Sequence, residues 1–250
     1  IAPSHKTIAV LHSTVRFWDF RFAQSQFAGE AHFRLSSRPD YFAVNGSEAK
    51  SQYLNAGYKR DKLFEVESLR YQYLMDIPKN KEKNMTNVEI EEMSILVFGD
   101  YSPILNNKML IFLEQCDKVI SRPIKFIFKP HISSPIDLTR YSFRNAILTN
   151  KRNEELFAST RNCFFSNMTS AQVDALYFNI NPMIYMDATE LNLSPLRELE
   201  NANFIFTPND LLNACLQTNS SQNIVEPHPK NIFYLDKDLN KWKSLISTKL

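Results

Sequence analysis

The stretch SILVFGDYSPILNNKMLIFLEQCDKVISRPIKFIFKPHISS (residues 94–134) decides the fold of this 250-residue chain. It holds two mainly apolar runs, 94–98 and 124–128, which are typical of buried strands. Residues 104–119 between them are predicted to form a helix. A buried strand, a helix and a second buried strand in succession predict two parallel strands joined by a helical crossover.

The same alternation continues on both sides of this stretch. Further strands are predicted at 7–11, 41–45, 62–67, 145–148, 162–165, 182–186 and 204–206. Further helices are predicted at 47–54, 154–159, 170–178, 209–216 and, from the spacing of Leu239, Trp242, Leu245 and Ile246, at the end of the chain. Ser47 is the predicted N-cap of the 47–54 helix, which ends at Gly57. The pattern predicts an α/β fold: a Rossmann-like parallel sheet with helices on both faces.

Composition excludes several classes of protein. The 29 basic residues nearly balance the 27 acidic ones, so the chain lacks the concentrated basic face that a nucleic-acid partner requires. The three cysteines, Cys116, Cys163 and Cys215, are widely spaced and are interpreted as small core residues. Only four glycines occur, which excludes a GxGxxG fingerprint and a Walker P-loop. A nucleotide would have to be bound by helix N-termini and side chains.

Candidate site residues follow the predicted strands, because ligands of open parallel sheets bind beyond the carboxyl ends of the strands. His131 could donate to a phosphate oxygen or protonate a departing one, or it could be an ordinary turn histidine. Lys129 adds a cation, although its side chain should point to the opposite face of the sheet. Ser133 and Ser134 are either phosphate ligands or turn residues.

A second candidate is SNMTSAQVDALYF (166–178), where a strand is followed by the start of a helix. Thr169 or Ser170 caps this helix, and its hydroxyls and free N–H groups could bind phosphate without glycine. An ordinary N-cap is the alternative. The other residues of the predicted nucleotide site are Asn167, Gly99, Asp100, Tyr101 and Ser102. No metal site is predicted.

Six motifs occur in the order of a known family. They are LHSTVRFWDFRF (11–22), FAVNGSEAKSQYLNAGY (42–58), LFEVESLRYQYL (63–74), ILVFGDYSP (95–103), FKPHISSPIDL (128–138) and NMTSAQVDALYFNINPMIYMD (167–187). Together they resemble bacterial surface-carbohydrate glycosyltransferases of the GT-B fold. The similar enzymes are sialyl-, polysialyl- and Kdo-type transferases that use CMP-sugars and, more distantly, CDP-glycerol glycerophosphotransferases.

This resemblance implies roles for particular residues. His131 resembles the histidine of the family's His-Pro motif, which contacts the donor phosphate, with Ile132 in place of the proline. Thr169 and Ser170 resemble the hydroxyl pair that binds the nucleotide phosphate. Residues 99–102 resemble the first loop of the C-terminal half. His12 matches the histidine of a His-Gly-Thr motif that is catalytic in polyol-phosphate relatives, although Ser13 replaces the glycine.

The resemblance also implies a domain organisation. Residues 1–78 are expected to be the last part of an acceptor-side Rossmann-like domain, 79–93 a linker, 94–225 the nucleotide-donor domain and 226–250 a crossing C-terminal helix. The expected partners are a nucleotide-sugar donor, a glycan or glycolipid acceptor and a missing N-terminal domain. The expected location is the cytoplasm, with peripheral association at the inner face of the membrane.

The function expected is donor binding for a metal-independent, inverting glycosyltransferase that needs no further cofactor, with a CMP-sugar as donor. Because the resemblance implies that part of the acceptor-side domain is missing, this chain is expected to bind nucleotide but to transfer sugar poorly or not at all. One alternative is transfer of a polyol phosphate from a CDP-alcohol. The other is a non-catalytic α/β scaffold or partner-binding module.

Overall fold

The computed structural model describes residues 5–15, 39–77, 93–180, 182–197, 199, 202–219 and 232–249. The described residues belong to two compact units. The first unit comprises Ile1–Ile77 and Pro229–Leu250, and the second comprises Pro78–His228. All of the predicted linker except Met93 lies outside the described residues, as do residues 16–22 of the first family motif.

Strands and helices alternate along both units. The strands are β1 (Ile8–Val10), β2 (Tyr41–Val44), β3 (Leu63–Glu65), β4 (Met93–Phe98), β5 (Ile124–Lys129), β6 (Ala146–Leu148), β7 (Cys163–Phe165), β8 (Pro182–Tyr185) and β9 (Asn203–Ile205). The helices are α1 (Ser47–Asn55), α2 (Pro103–Val119), α3 (Asn153–Ser159), α4 (Ala171–Tyr177), α5 (Pro208–Asn219) and α6 (Asn240–Lys249). Short 3-10 turns occupy Arg60–Lys62, Leu69–Asp76 and Leu138–Arg140. Each strand and each α-helix lies within a few residues of its predicted position, whereas the 3-10 turns were not predicted.

The first unit contains a parallel sheet in the order β1-β2-β3. Val44 packs with α1 on one face, whereas its neighbour Ala43 packs with Leu245 of α6 on the other. Adjacent residues of a strand point to opposite faces, so β2 is covered on both sides. The spacing of the C-terminal apolar residues thus corresponds to a helix packed on this sheet.

The predicted N-cap of α1 needs a correction. Ser47 is already helical, and Gly46 occupies the N-cap position with an extended backbone (φ −171°, ψ 162°). Within the described residues no side chain caps this helix. Gly57 ends the segment at φ 92°, a left-handed conformation that glycine adopts without steric cost.

The second unit contains a six-stranded parallel sheet in the order β6-β5-β4-β7-β8-β9. Counted from β4, this is the 3-2-1-4-5-6 order of doubly wound nucleotide-binding folds. Ile95 and Val97 of β4 pack with α2 and α5, whereas Leu96 and Phe98 pack with α3 and α4. The predicted Rossmann-like sheet with helices on both faces is confirmed.

Two further sequence features have a place in the structure. All three cysteines, Cys116, Cys163 and Cys215, are buried free thiols. This agrees with their interpretation as small core residues. Burial raises the pKa of the Cys116 and Cys215 thiols to about 12. Among the helices of the described residues, none combines the length and apolarity needed to cross a membrane.

Candidate functional site

The predicted site residues of the second unit come together at one edge of its sheet. Phe98 of β4 is paired with Lys129 of β5 on one side and with Phe165 of β7 on the other. The segments that follow these three strands therefore start at the same level. Because adjacent strands lie about 4.8 Å apart, the segments after β5 and β7 are separated by roughly 10 Å. The chain order reverses at β4, where ligands of this fold bind.

His131 lies in a tight turn directly after β5. The turn is closed by the N–H of Ser134, which donates to the carbonyl of His131 at 3.0 Å. The imidazole Nδ1 lies 2.7 Å from Ser133 Oγ and accepts the Ser133 backbone N–H at 3.2 Å. A backbone N–H can only donate, so Nδ1 is the acceptor and the proton of the neutral ring resides on Nε2. Within the described residues every hydrogen bond of this exposed ring uses Nδ1.

The structure separates the two serines that the sequence left undecided. Ser133 is exposed and holds the imidazole, and its Oγ also lies 3.4 Å from the carbonyl of Tyr101. Ser134 is 2% exposed, and its Oγ accepts a hydrogen bond from Asn106 Nδ2 at 2.9 Å. Direct contact with a ligand would break that buried bond, so we assign Ser134 a structural role in the turn.

The side chain of Lys129 is hydrogen-bonded to a neighbouring loop. Its Nζ donates to the carbonyl of Lys151 at 2.6 Å, after β6. The bond fastens the carboxyl ends of β5 and β6 to each other.

The segment after β4 approaches the His131 turn closely. A Cβ atom on Gly99 would lie 3.1 Å from the backbone nitrogen of His131, tighter than most side chains tolerate. Glycine therefore lets the two strand ends pack together. The rings of Tyr101 and His131 lie 6.4 Å apart, and Ser102 is the N-cap of α2, with Oγ accepting the N–H of Leu105 at 3.5 Å. The positive end of a 17-residue helix is thus beside the imidazole.

Asp100 is buried rather than open to a ligand. Its carboxylate is 1% exposed, accepts the hydroxyl of Ser166 and accepts the backbone N–H of Ser102 at 2.8 Å. The Asp100–Ser166 bond joins the carboxyl ends of β4 and β7 at the point where the chain order reverses. Both carboxylate oxygens already have partners, so Asp100 is not expected to contact a ligand.

In the segment after β7, only some of the predicted residues are free of internal hydrogen bonds that would compete with a ligand. Asn167 is buried and its amide donates to the carbonyl of Leu191 at 3.0 Å, so it fixes a loop. Thr169 Oγ1 accepts the N–H of Ala171 at 3.4 Å. Ser170 occupies the N-cap position of α4 but has a helical backbone and makes no capping bond with its side chain. Of the hydroxyl pair predicted from the sequence, Ser170 is the one not used as a cap.

His12, the other predicted catalytic residue, lies in the first unit. It is exposed in the segment that follows β1. The next residue, Ser13, accepts a hydrogen bond through its carbonyl from the buried Asn45 at 3.1 Å. A catalytic role for His12 stays a prediction.

Sequence reasoning missed several buried polar residues at this edge. Asn106 lies on the apolar stripe of α2 with Met109, Leu110 and Leu113, a position that demands a hydrogen-bond partner. Gln172 donates to the carbonyl of Ser166 at 2.6 Å and accepts the hydroxyl of Ser194 at 2.6 Å. Ser134 lies 28 residues from Asn106, and Ser194 lies 22 residues from Gln172. Of these buried polar residues, only Asn106 could have been indicated by the sequence, through its position on an apolar stripe.

An ion cluster on the second unit was also missed. Lys108 of α2 pairs with Glu190 and, at 3.1 Å, with Asp187 after β8. Hydrogen bonds to Glu190 and Asp187 raise the pKa of Lys108 to about 12. Hydrogen bonds from Thr189, together with Lys108, lower the pKa of Asp187 to about 2. The lysine is thus held as a cation between two carboxylates.

Comparison with known proteins supports the fold. No protein family and no curated protein sequence matches this chain. A candidate UDP-N-acetylglucosamine 2-epimerase from Listeria monocytogenes is similar in structure, with a TM-score of 0.56 and 13% identity over 95% of this chain and 66% of that protein. HepE from Anabaena, in complex with UDP and glucose, has a TM-score of 0.54 and 13% identity over 98% of this chain and 72% of HepE.

The UDP-GlcNAc 2-epimerase from Neisseria meningitidis, bound to UDP-GlcNAc, is similar as well. Its TM-score is 0.50, with 14% identity over 95% of this chain and 68% of that protein. The described fold is therefore of the GT-B type. The chain spans just under two thirds of the Listeria protein's length. The sialyl- or Kdo-type assignment stays a prediction.

Proposed function

We propose that the second unit binds a nucleotide-activated sugar through its phosphate groups, as the donor-binding part of a glycosyltransferase. The observation that carries this proposal is the His131 turn. It holds Nδ1 as an acceptor, leaves the Nε2 proton for a ligand, and lies beside the N-terminus of α2. A phosphate at this edge would meet a hydrogen-bond donor and a positive helix end together.

The fold neighbours favour a sugar nucleotide over other phosphorylated ligands. HepE holds UDP and glucose, and the Neisseria epimerase holds UDP-GlcNAc. The width between the segments after β5 and β7, roughly 10 Å, suits a group that reaches from His131 towards Ser170. These points favour the enzyme interpretation over a non-catalytic scaffold.

The chemistry proposed for His131 is stabilisation of the departing nucleotide. A proton donor or cation at the phosphate oxygen lowers the free energy of the leaving group as negative charge develops there. The transfer itself would be metal-independent and inverting, from a CMP-sugar to a glycan or glycolipid, as the family resemblance implies. The acceptor and the catalytic base are not assigned to residues of this unit.

Calorimetric titration of the 250-residue chain with CMP, CDP and UDP, in EDTA, tests the proposal. We expect binding without metal, weakened roughly 10- to 100-fold by His131→Ala because a hydrogen bond to a charged group is lost. Lys118→Ala, which removes a cation at the far end of α2, serves as the charge control and should bind normally. Absence of binding by the unmodified chain would overturn the proposal.

Epimerisation of a UDP-sugar is the second candidate, since two of the three neighbours are named as UDP-GlcNAc 2-epimerases. Both candidates need the same nucleotide site, so binding alone does not separate them. Incubation with UDP-GlcNAc followed by NMR of the sugar does. A change of configuration at C2 favours epimerisation, whereas release of nucleotide from a CMP-sugar, offered in parallel, only when an acceptor is added favours transfer.

A further inference from the structure

We infer that Asn106 is a positioning residue for His131. It has no predicted contact with a ligand, and it acts by holding the turn that aims the imidazole. The inference rests on the proposed function in one respect only, namely that the aimed imidazole contacts the phosphate. Its structural part, control of the ring by Asn106, stands on contacts within the second unit.

The amide of Asn106 bridges two strand ends. It is 4% exposed, and its Oδ1 accepts the backbone N–H of Asp100 at 2.9 Å after β4. Its Nδ2 donates to Ser134 Oγ at 2.9 Å and to the Ser134 carbonyl at 3.3 Å after β5. A single buried side chain thus links the end of β4 to the last residue of the His131 turn.

Ser134 is the anchor through which this link reaches the ring. His131, Ile132 and Ser133 are exposed, and Ile132 is 97% exposed, so Ser134 is the buried member of the turn. Its N–H closes the turn on the carbonyl of His131. Fixing Ser134 therefore fixes Ser133, whose N–H and Oγ hold Nδ1.

Close packing around Gly99 leaves little freedom in this arrangement. A Cβ at this position would lie 3.1 Å from the nitrogen of His131 and 3.2 Å from Asn106 Oδ1. The Gly99 N–H donates to the carbonyl of Lys129 at 2.9 Å. The amide of Asn106 therefore fills the space between Gly99 at the end of β4 and Ser134 in the turn, and its removal leaves a gap there.

Loss of Asn106 should show in the protonation pattern of the ring. Asn106→Ala leaves Ser134 Oγ and the Asp100 N–H without their partner, which favours opening of the turn. Nδ1 then loses the donors of Ser133, and the neutral ring divides between the Nδ1–H and Nε2–H tautomers. A change that only lowered overall stability would leave the tautomer of the folded protein unchanged.

Long-range ¹H–¹⁵N NMR of the imidazoles in the full chain measures this directly. With a neutral ring, the unmodified protein should show His131 as the Nε2–H tautomer, and Asn106→Ala should show a mixture. Ser134→Ala removes one of the two Ser134 acceptors and should give a smaller change; it carries the test if Asn106→Ala does not fold. Asn107, on the same helix as Asn106, accepts a hydrogen bond from the Tyr141 hydroxyl at 2.8 Å. Asn107→Ala loses that bond and is the control, which should leave the His131 tautomer unchanged.

Titration with UDP and CMP completes the test. Asn106→Ala should weaken binding roughly tenfold, since a misdirected donor forfeits most of one hydrogen bond, and Asn107→Ala should not. An unchanged His131 tautomer in both Asn106→Ala and Ser134→Ala overturns the positioning role, even if nucleotide binds. A changed tautomer in a protein that binds no nucleotide supports the positioning of the ring and overturns the proposed function instead.

Discussion

Replacing Glu67 by alanine should release the last helix of the first unit. The Glu67 carboxylate is buried and accepts the backbone N–H groups of Lys241 at 2.7 Å and Trp242 at 3.0 Å. These residues belong to the first turn of α6, whose N–H groups have no partner within the helix. Glu67 thus caps a helix far along the chain and places a negative charge at its positive end.

The size of the effect follows from these contacts. Loss of a local N-cap costs about 0.5–2 kcal/mol, and a hydrogen bond to a charged group contributes about 1.5–3 kcal/mol. Glu67 makes two such bonds, but water can replace part of them once the helix end opens. We therefore expect Glu67→Ala to cost about 2 kcal/mol, which is about a 30-fold rise in the opening of α6.

Amide hydrogen exchange followed by NMR measures this opening residue by residue. In Glu67→Ala the amides of Lys241 and Trp242 lose their acceptor and should exchange at least about 30-fold faster, with a loss of about 2 kcal/mol in urea unfolding of the first unit. Asp76→Asn is the control, because it breaks an exposed ion pair with Lys237 in the same C-terminal segment and should change exchange by no more than about twofold. Unaltered protection of both amides in Glu67→Ala would refute the capping role.

Three other perturbations test the second unit. Arg144→Ala leaves the fully buried carboxylate of Asp117 without its guanidinium partner at 3.0 Å. Because the arginine is partly exposed, urea unfolding should show a loss of about 2 kcal/mol in the free energy of unfolding. A loss below about 0.5 kcal/mol, the effect of an ordinary surface substitution, would contradict this. Cys116 and Cys215, whose pKa values are about 12, should resist iodoacetamide at pH 8 in the folded protein and react in urea, as mass spectrometry would show. Asp187 has a folded pKa of about 2, below its unfolded value of about 3.9, so its stabilisation is present above about pH 4 and lost towards pH 2. The difference in melting temperature between the unmodified protein and Asp187→Asn should therefore shrink from pH 5 to pH 2, and a constant difference would contradict the assigned pKa.

Local sequence patterns were sufficient to predict the strands and helices and the edge at which the candidate site residues gather. Continuous apolar runs such as 95–98 have the composition of strands buried on both faces, whatever they pack against. Because parallel strands align their carboxyl ends, polar residues that follow different strands must gather at one edge. His131, Tyr101 and Ser170 could be grouped from the sequence for this reason.

The tertiary structure alone decided what each of these polar residues does. Ser133 and Ser134 are neighbours with the same side chain, yet one holds the imidazole and the other is buried against Asn106, 28 residues away. The cap of α6 comes from Glu67, 174 residues before Lys241. Periodicity reports which face of an element is buried, but a hydrogen-bond partner is chosen by the packing of distant segments. The sequence therefore determined the sheets, the position of His131 and the demand for a partner at Asn106, and the packed structure determined which residues meet that demand.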